Sequence, residues 1–403
     1  MVKEGWEEKK LGELIELKYG KGLPKRNRQL GPYPVYGSGG VVDHHNTPLI
    51  KGPGIVIGRK GSIGSVHYEE MDYFPIDTVF YIESSENYSL KFIYYLLLQS
   101  NLKDLNQDAA VPGLNRNTAY LQKFTVPKNI ELQQKIATIL SNYDNLIKNN
   151  EKRIKLLEQI AKRIYEEWFV NFKFPGHENV KMIDSKTEFG KIPEGWKIDK
   201  LGAIYKLQPG YAFKSKDFCD KGFSIIKIKN IYEDGSVDID NCVKISEEIA
   251  KKYNKFKLNG GDILIAMTGA TIGKVGVMPR TNTFYYLNQR VGRFLSLDKT
   301  IGNGYAYLIT KSKRFRKIIE NISLGAAQPN ISGTYIEDIK ILIPEEEILK
   351  IFSKIVNKLL FVIENIRSKN QNLRKTRDLL MPKLISGEVD VSKFNIKIPE
   401  IEI

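Results

Sequence analysis

The chain contains two copies of one sequence pattern, and this duplication limits the folds that it can adopt. The stretch GWEEKKLGELIELKYGKG at residues 5–22 returns at residues 195–212 as GWKIDKLGAIYKLQPGYA, an offset of 190. Two later blocks also repeat, GIVIGRKGSIGSV as DILIAMTGATIGKV and AAVPGLNRNTAYLQKFTVP as AAQPNISGTYIEDIKILIP, the last at an offset of 217. The growing offset indicates loop insertions in the second copy. Such a chain is a duplicated globular module rather than a solenoid of many short repeats.

Each copy ends in a long segment with helical periodicity. Seam residues that alternate at steps of four and three predict helices over about residues 131–171 and 346–386, each with a heptad seam. In the first helix the predicted seam is Ile136, Leu140, Tyr143, Ile147, Asn150, Ile154, Leu157, Ala161 and Ile164. Adding 219 to these numbers leads to the predicted second seam, which includes Ile355, Leu359, Val362, Ile366, Lys369, Leu373, Thr376 and Leu380.

A heptad seam must be buried, and two arrangements would bury it. Each helix could pack on its own module, or the two helices could pack on each other in antiparallel orientation. We favour the antiparallel pair, which would relate the two modules by a pseudo-twofold axis. Asn150 and Lys369 would then lie near its middle, where buried polar residues fix the register at a cost in stability.

The modules themselves combine strands and helices. Short β-branched runs such as GIVIG and TVFYI alternate with Gly, Pro and Asn turns, which predicts strands. Residues 90–105 and 304–322 have the pattern of amphipathic helices. The predicted fold class is therefore α+β, with two homologous α/β domains separated by a coiled-coil spacer of two long antiparallel helices. The predicted boundaries are 1–129 and 186–345 for the domains, 130–185 for the first helix and linker, and 346–403 for the second helix and tail.

Composition favours a polyanionic partner and excludes several other classes. The formal net charge is +15, an excess that most often serves nucleic-acid binding. GATIGK at residues 269–274 lacks the spacing of a phosphate-binding loop, and neither the two cysteines nor the adjacent His44 and His45 have metal-ligand spacing. We therefore expect no catalytic residue, metal or cofactor in this chain. With no membrane span and no apolar leader in the sequence, the expected compartment is the cytoplasm.

Two modules on a rigid spacer suggest two different half-sites on one duplex. The candidate contacts lie in loop clusters at matched positions of the two copies, where arginine can bond guanine, lysine suits phosphate, and Gly-rich turns allow close backbone approach. In the first copy they are Lys25, Arg26, Arg28, Tyr36, Ser38, Arg59, Lys60, Ser62, Asn115, Arg116 and Asn117. In the second copy they are Tyr211, Lys214, Lys216, Thr268, Thr271, Lys274, Gln328, Asn330 and Ser332.

Several stretches resemble a known family, the specificity (S) subunits of type I restriction-modification enzymes. They are LLEQIAKRIYEEWFVNFKFPG, GKIPEGWK and LLMPKLISGEVDV, together with YPVYGSGG and GRKGSIG, and the resemblance covers essentially the whole chain. It implies that each module is a target-recognition domain for one half of a bipartite, asymmetric DNA site. It also implies that the helices set the gap and dock two methyltransferase (M) subunits, and that two restriction (R) subunits join the complex.

The resemblance also implies that the chemistry belongs to those partners, which use S-adenosylmethionine, ATP and Mg²⁺. It carries over no base contacts, so the candidate residues rest on the residue types alone. Two alternatives stay open. One is a specificity subunit for a type II system with a fused methylase-nuclease. The other is a non-catalytic coiled-coil scaffold, whose binding would not depend on DNA sequence.

Overall fold

The computed structural model describes residues 3–105, 113–323 and 330–399. The chain divides into two compact units, unit 1 with residues 1–147 and 373–403 and unit 2 with residues 148–372. The division crosses both long helices, so each unit holds one module and a portion of each helix. Among the described residues, no helix combines the length and the apolar composition that a membrane crossing requires.

The described residues of unit 1 form three small sheets. A four-stranded antiparallel sheet has the order Lys18–Tyr19, Val79–Glu83, Gly54–Gly58, Val66–Glu69. A three-stranded sheet has the order Gly40–His45, Tyr33–Gly37, Phe74–Pro75, in which the last two strands run parallel. Strand Trp6–Lys10 pairs with Lys123–Pro127 and joins the two ends of the module. The central strand Gly54–Gly58 is fully buried, which explains its unbroken apolar sequence.

Unit 2 repeats this arrangement of strands. Its four-stranded sheet has the order Tyr205–Pro209, Val291–Ser296, Ile263–Ala266, Val275–Val277. Its five-stranded sheet has the order Phe218–Cys219, Val243–Ile245, Phe223–Ile226, Tyr285–Leu287, Lys257–Leu258. Lys197–Lys200 pairs with Lys340–Ile343, and a separate hairpin joins Met182–Asp184 to Lys191–Pro193. The duplication is confirmed, and the two extra edge strands and the helix Glu247–Lys252 account for the insertions.

Most of the short helices begin at a Ser or Asn whose side chain caps the first turn. Those of unit 1 are Leu11–Leu14, Leu90–Leu98 and Arg116–Tyr120, and those of unit 2 are Glu247–Lys252, Gly304–Lys311, Lys313–Ser323 and Gly333–Asp338. The single helix predicted over 304–322 is in fact two helices. Ser312 takes an extended backbone conformation, and its hydroxyl accepts a hydrogen bond from the Phe315 N–H at 3.2 Å. The serine therefore ends one helix and caps the next.

Two long helices, Ile130–Phe169 and Glu346–Ile385, confirm the predicted pair and are called the spacer helices below. Their antiparallel pairing is visible within each unit. In unit 2, the Asn150 amide donates to Asn370 at 2.7 Å, whereas Trp168 packs on Phe352 with ring centroids 5.6 Å apart. In unit 1, Arg377 pairs with Asp144.

All nine positions of the predicted seam in the first spacer helix are buried or half-buried, as a heptad seam requires. The prediction for the second helix is wrong by one residue at four positions. Ile355 and Val362 are 37% and 43% exposed, and Lys369 and Thr376 are exposed as well. The inward residues include their C-terminal neighbours Val356, Ile363 and Asn370. The two spacer helices begin at Ile130 and Glu346 and end at Phe169 and Ile385, so the copies are 216 residues apart at both ends of the helices rather than 219.

An aromatic cluster buries the end of the first spacer helix in unit 2. The Phe169 ring lies 4.6 Å from Phe352 on the second helix and 4.9 Å from Tyr305 in the module. Trp196, from the second copy of the opening repeat, lies 5.5 Å from Phe169. Large aromatic side chains bury much apolar area and pack with defined geometry. Within unit 2, the helix pair and the module therefore share one core.

Candidate nucleic-acid interface

Three of the predicted loop segments meet in the first module. The Ser62 N–H lies 3.4 Å from the Ser38 hydroxyl, and the Ser65 hydroxyl donates to the Ser38 carbonyl. On the other side, the Leu114 N–H donates to the Arg59 carbonyl at 2.8 Å, and Lys60 forms a β-bridge with Gly113. The Gly-rich turn at residues 58–64 thus lies between the loop that carries Ser38 and the segment at residues 113–117. The three segments form one composite loop surface.

Two arginines of this surface flank an exposed tyrosine. The guanidinium carbons of Arg59 and Arg116 lie 5.4 and 5.1 Å from the centroid of the Tyr19 ring. Tyr19 is 52% exposed, and such cation–π contacts hold the two cations at a solvent-facing site. Arg59 donates from Nε and Nη2 to the Asp77 carbonyl at 3.2 and 2.6 Å. Within the described part of the chain, Arg116 Nε is buried without a hydrogen-bond partner.

We call Tyr19, Arg59 and Arg116 the arginine–tyrosine cluster. Its positive charge, exposed aromatic ring and guanidinium donors suit phosphate or guanine. Sequence reasoning missed Tyr19, which stands in the opening repeat directly before Gly20. Asn117 is exposed beside the cluster. The Asn115 side chain instead accepts hydrogen bonds from the N–H groups of Asn117 and Thr118, so it caps the helix Arg116–Tyr120.

Two of the predicted contacts in the first module are structural. Tyr36 is only 6% exposed, and its hydroxyl donates to Glu69 at 2.8 Å. Its prediction as a DNA contact is therefore wrong, because its position on the strand points it into the core. Arg28 donates to Asp43 at 3.2 Å and to the Leu23 carbonyl. The pKa of Asp43 is lowered, first by the His44 N–H and then by Arg28. Arg28 thus holds its loop together.

The remaining basic residues of that loop are available to a ligand. Lys25 and Arg26 lie in a short 3₁₀ turn, Lys25–Asn27, and are exposed. Lys60 and Ser62 are exposed on the Gly-rich turn. These side chains suit contacts to the DNA backbone, which position a protein without reading sequence.

The second module builds the same junction with different residues. Thr268 forms a β-bridge with Asn330, and the Ile331 N–H donates to the Met267 carbonyl at 2.9 Å. These contacts are the counterparts of the Lys60–Gly113 bridge and the Leu114–Arg59 bond. Ser332 accepts from the Tyr335 N–H at 3.1 Å and caps its helix, as Asn115 does in the first copy. Gln328 lies outside the described residues.

Buried hydroxyls mark the Gly-rich turn of the second module. Within the described ranges, Thr268 Oγ1 and Thr271 Oγ1 are buried and have no hydrogen-bond partner. Buried polar atoms are rarely left unpaired, and a bound ligand is one way to satisfy them. Lys274 lies at the end of this turn, with Nζ 3.4 Å from a carboxylate oxygen of Glu233.

An aromatic pair lies beside this junction. The rings of Tyr211 and Tyr253 are stacked with centroids 3.8 Å apart, and their hydroxyls are 2.6 Å apart. Lys252 Nζ lies 5.6 Å from the Tyr253 ring, and Lys214 and Lys216 are exposed on the following turn. Stacked aromatics with nearby cations form a platform for nucleic-acid bases. Tyr253 was missed because only the fold brings it to Tyr211.

One glycine holds an equivalent place in both copies. A Cβ at Gly20 would lie 2.1 Å from the Ile76 carbonyl oxygen, and one at Gly210 would lie 2.3 Å from the Asn288 carbonyl oxygen. The backbones approach so closely that only glycine fits. In the first module this contact joins the end of strand Lys18–Tyr19 to the residue after strand Phe74–Pro75. In the second module it joins the end of strand Tyr205–Pro209 to the residue after strand Tyr285–Leu287. Both modules therefore share this backbone geometry beside the candidate interface.

The protein-family comparison matches this twofold architecture. The family model described as "Type I restriction modification DNA specificity domain" matches residues 3–159 and again residues 193–373. The solved S subunit of a type I restriction-modification system from M. genitalium has a similar fold. Its TM-score is 0.67 at 18% identity, over 95% of this chain and 96% of that chain.

Curated relatives match over most of both chains. The type I restriction enzyme MjaVIII specificity subunit of Methanocaldococcus jannaschii is 29% identical over 346 residues, which are 85% of this chain and 77% of that protein. The MjaIX specificity subunit of the same organism is 28% identical over 313 residues, 75% of this chain and 70% of the relative. With two family matches that span both modules, this chain belongs to the family of type I restriction-modification DNA specificity subunits.

Proposed function

We propose that this chain selects the DNA sequence for a type I restriction-modification complex, with each module reading one half of a split, asymmetric site. The observation that carries the proposal is the junction that both modules build with the same backbone contacts and different side chains. The first presents the arginine–tyrosine cluster, and the second presents Thr268, Thr271 and the Tyr211 platform. Different side chains on one scaffold would read different half-sites.

The spacer helices would set the gap between the half-sites. Each is 40 residues long, or about 60 Å at 1.5 Å per residue. Their seam includes the buried Asn150–Asn370 hydrogen bond, and buried polar pairs of this kind fix the register of paired helices. A fixed register supports a fixed distance between the two reading sites.

The outward faces of the spacer helices would dock two methyltransferase subunits. Both helices carry exposed apolar side chains, and such surfaces commonly mark protein interfaces. They are Leu146, Leu156 and Ile160 on the first helix, and Ile351, Ile355, Phe361, Val362 and Leu379 on the second. The methyltransferase subunits would bring S-adenosylmethionine. Two restriction subunits would add chemistry that depends on ATP and Mg²⁺, while this chain supplies recognition.

Selection from a random duplex library tests the proposal. The chain is purified with its methyltransferase partner, mixed with the library, and the retained duplexes are sequenced. We expect two constant blocks separated by a random gap of fixed length. Arg59→Ala should relax one block and leave the other. A continuous motif, or no enrichment, would contradict the proposal and favour a scaffold.

A matched control separates base reading from loss of charge. Lys123 is an exposed residue of the first module that pairs with Glu8 in the terminal two-stranded ladder. Lys123→Gln removes one positive charge, as Arg59→Ala does, from a strand outside the candidate interface. The control should retain both blocks. If it relaxes the same block as Arg59→Ala, the effect is general electrostatics and not base reading.

A further inference from the structure

Arg367 of the second spacer helix joins that helix to a loop of the second module. Its Nη1 donates to the Gly235 carbonyl at 3.2 Å and its Nη2 donates to the Asp234 carbonyl at 3.1 Å. The same guanidinium binds Glu364 at 3.0 Å and Glu158 of the first spacer helix at 2.7 Å. The side chain is only 12% exposed. One planar fork therefore connects both spacer helices to the module.

The loop that Arg367 holds is a tight turn at residues 232–236, named the Gly235 turn here. The Gly235 N–H donates to the Tyr232 carbonyl at 3.1 Å, and the Tyr232 N–H donates to the Ser236 carbonyl at 3.0 Å. Asp234 accepts from both the backbone and the hydroxyl of Ser236. Gly235 has φ of +81°, which favours glycine. These internal hydrogen bonds fix the shape of the turn, so the residues at its two ends keep a constant position relative to Arg367.

The Gly235 turn also contacts the segment that ends the candidate interface. The Val277 N–H donates to the Gly235 carbonyl at 3.1 Å, so this oxygen accepts from both Val277 and Arg367. The neighbouring Glu233 lies 3.4 Å from Lys274 at the end of the Gly-rich turn. A continuous series of contacts thus runs from the spacer helix to the turn that carries Thr271 and Lys274.

The charges around Arg367 make its place specific for an arginine. Glu364 is buried, with 2% of its side chain exposed. Glu158 is partly buried, and burial raises the pKa of its carboxyl. An arginine stays charged and can bond several carbonyl and carboxylate oxygens at once.

We propose that Arg367 is a positioning residue that fixes the Gly235 turn, and with it Lys274 and the Gly-rich turn, on the spacer helices. Arg367 thereby restricts the complex to one gap length between the half-sites. This role rests on the proposed function, since a gap exists only if both modules read DNA.

The test is a titration of the assembled complex against duplexes whose gap is changed by one or two base pairs in either direction. Wild type should bind the native gap much more tightly than its neighbours. Arg367→Met keeps the side-chain length but removes the fork, and it should reduce the preference for the native gap by about tenfold. Lys216→Ala is the matched control, because Lys216 is exposed at the candidate interface and is not part of the series of contacts that begins at Arg367. It should lower affinity by a similar factor at every gap and leave the preference unchanged.

Each outcome decides the role of Arg367. A parallel loss of affinity at all gaps in Arg367→Met would overturn it, because that is the result of a lost contact or a less stable fold. If Arg367→Met does not assemble, Arg367→Lys keeps the cation among the buried acids but cannot reach every carbonyl, and its gap profile should still flatten. A wild-type complex with no gap preference would overturn the proposed function and this role together.

Discussion

Glu364 offers a quantitative test of the buried charges that join the spacer helices to the second module. Its carboxylate accepts from Arg367 through Oε1, whereas within the described residues Oε2 is buried without a partner. Burial raises the pKa of Glu364 from 4.5 to about 7, although Arg367 opposes the shift. The other charged groups that act on it are Glu158 and Arg280.

The direction of the effect follows from proton linkage. Because the folded pKa exceeds the unfolded value, the folded state holds a proton that the unfolded state has released. The stabilisation that protonated Glu364 gives the folded state is fully present below about pH 4.5 and is lost as the pH rises through about 7. A shift from 4.5 to about 7 corresponds to about 3 kcal/mol, at about 1.4 kcal/mol per pKa unit. Glu364→Gln removes the titrating carboxyl, so the free energy of unfolding should no longer fall on its account as the pH rises.

The assay is urea unfolding of the full chain at pH 5 and pH 8, followed by tryptophan fluorescence. Trp168 and Trp196 lie in unit 2 and Trp6 lies in unit 1, so a Trp6→Phe background reports on unit 2 alone. Between pH 5 and pH 8, the free energy of unfolding should fall by about 2.5 kcal/mol more in the parent than in Glu364→Gln. Glu320→Gln alters an exposed carboxylate of the same unit and should match the parent. Equal pH dependence in Glu364→Gln and the parent would refute the reasoning.

Three further predictions concern the interface and the spacer. Arg59→Ala should weaken binding to the cognate duplex by about 1–3 kcal/mol; a loss of only a few tenths in a fluorescence titration would remove Arg59 from the reading site. Asn150→Leu and Asn370→Leu should be non-additive by about 1 kcal/mol or more, since either change alone breaks their hydrogen bond; additive unfolding energies would contradict the pairing. Seven residues inserted into each spacer helix should change the gap that library selection recovers, and altered half-sites would contradict the spacer role.

The repeat was enough to predict the fold class because it sets the strand content, the helix positions and the duplication together. The seam of the second spacer helix could not be placed from sequence alone. Apolar residues stand side by side at Ile355–Val356 and Val362–Ile363, so two registers fit the heptad pattern equally well. Only the partner helix decides which neighbour is buried, and Asn370 rather than Lys369 meets Asn150.

The candidate interface was partly predictable for a related reason. Gly-rich turns and basic loops are local features, so their segments were identified and the structure brings them together. Whether a side chain faces the core or the solvent depends on strand register, which is why Tyr36 was misassigned. The Tyr211–Tyr253 stack joins residues 42 apart in sequence. No local pattern marks Tyr253 as its partner.

The central claim is that this chain selects one split DNA sequence for methylation. Single-molecule sequencing of methyladenine in the host genome, with and without the gene, tests it most directly. We predict that the methyl mark disappears at one motif, two short blocks separated by a fixed gap, and returns when the gene is restored. An unchanged methylation pattern, in cells where the chain co-purifies with an active methyltransferase, would contradict the account.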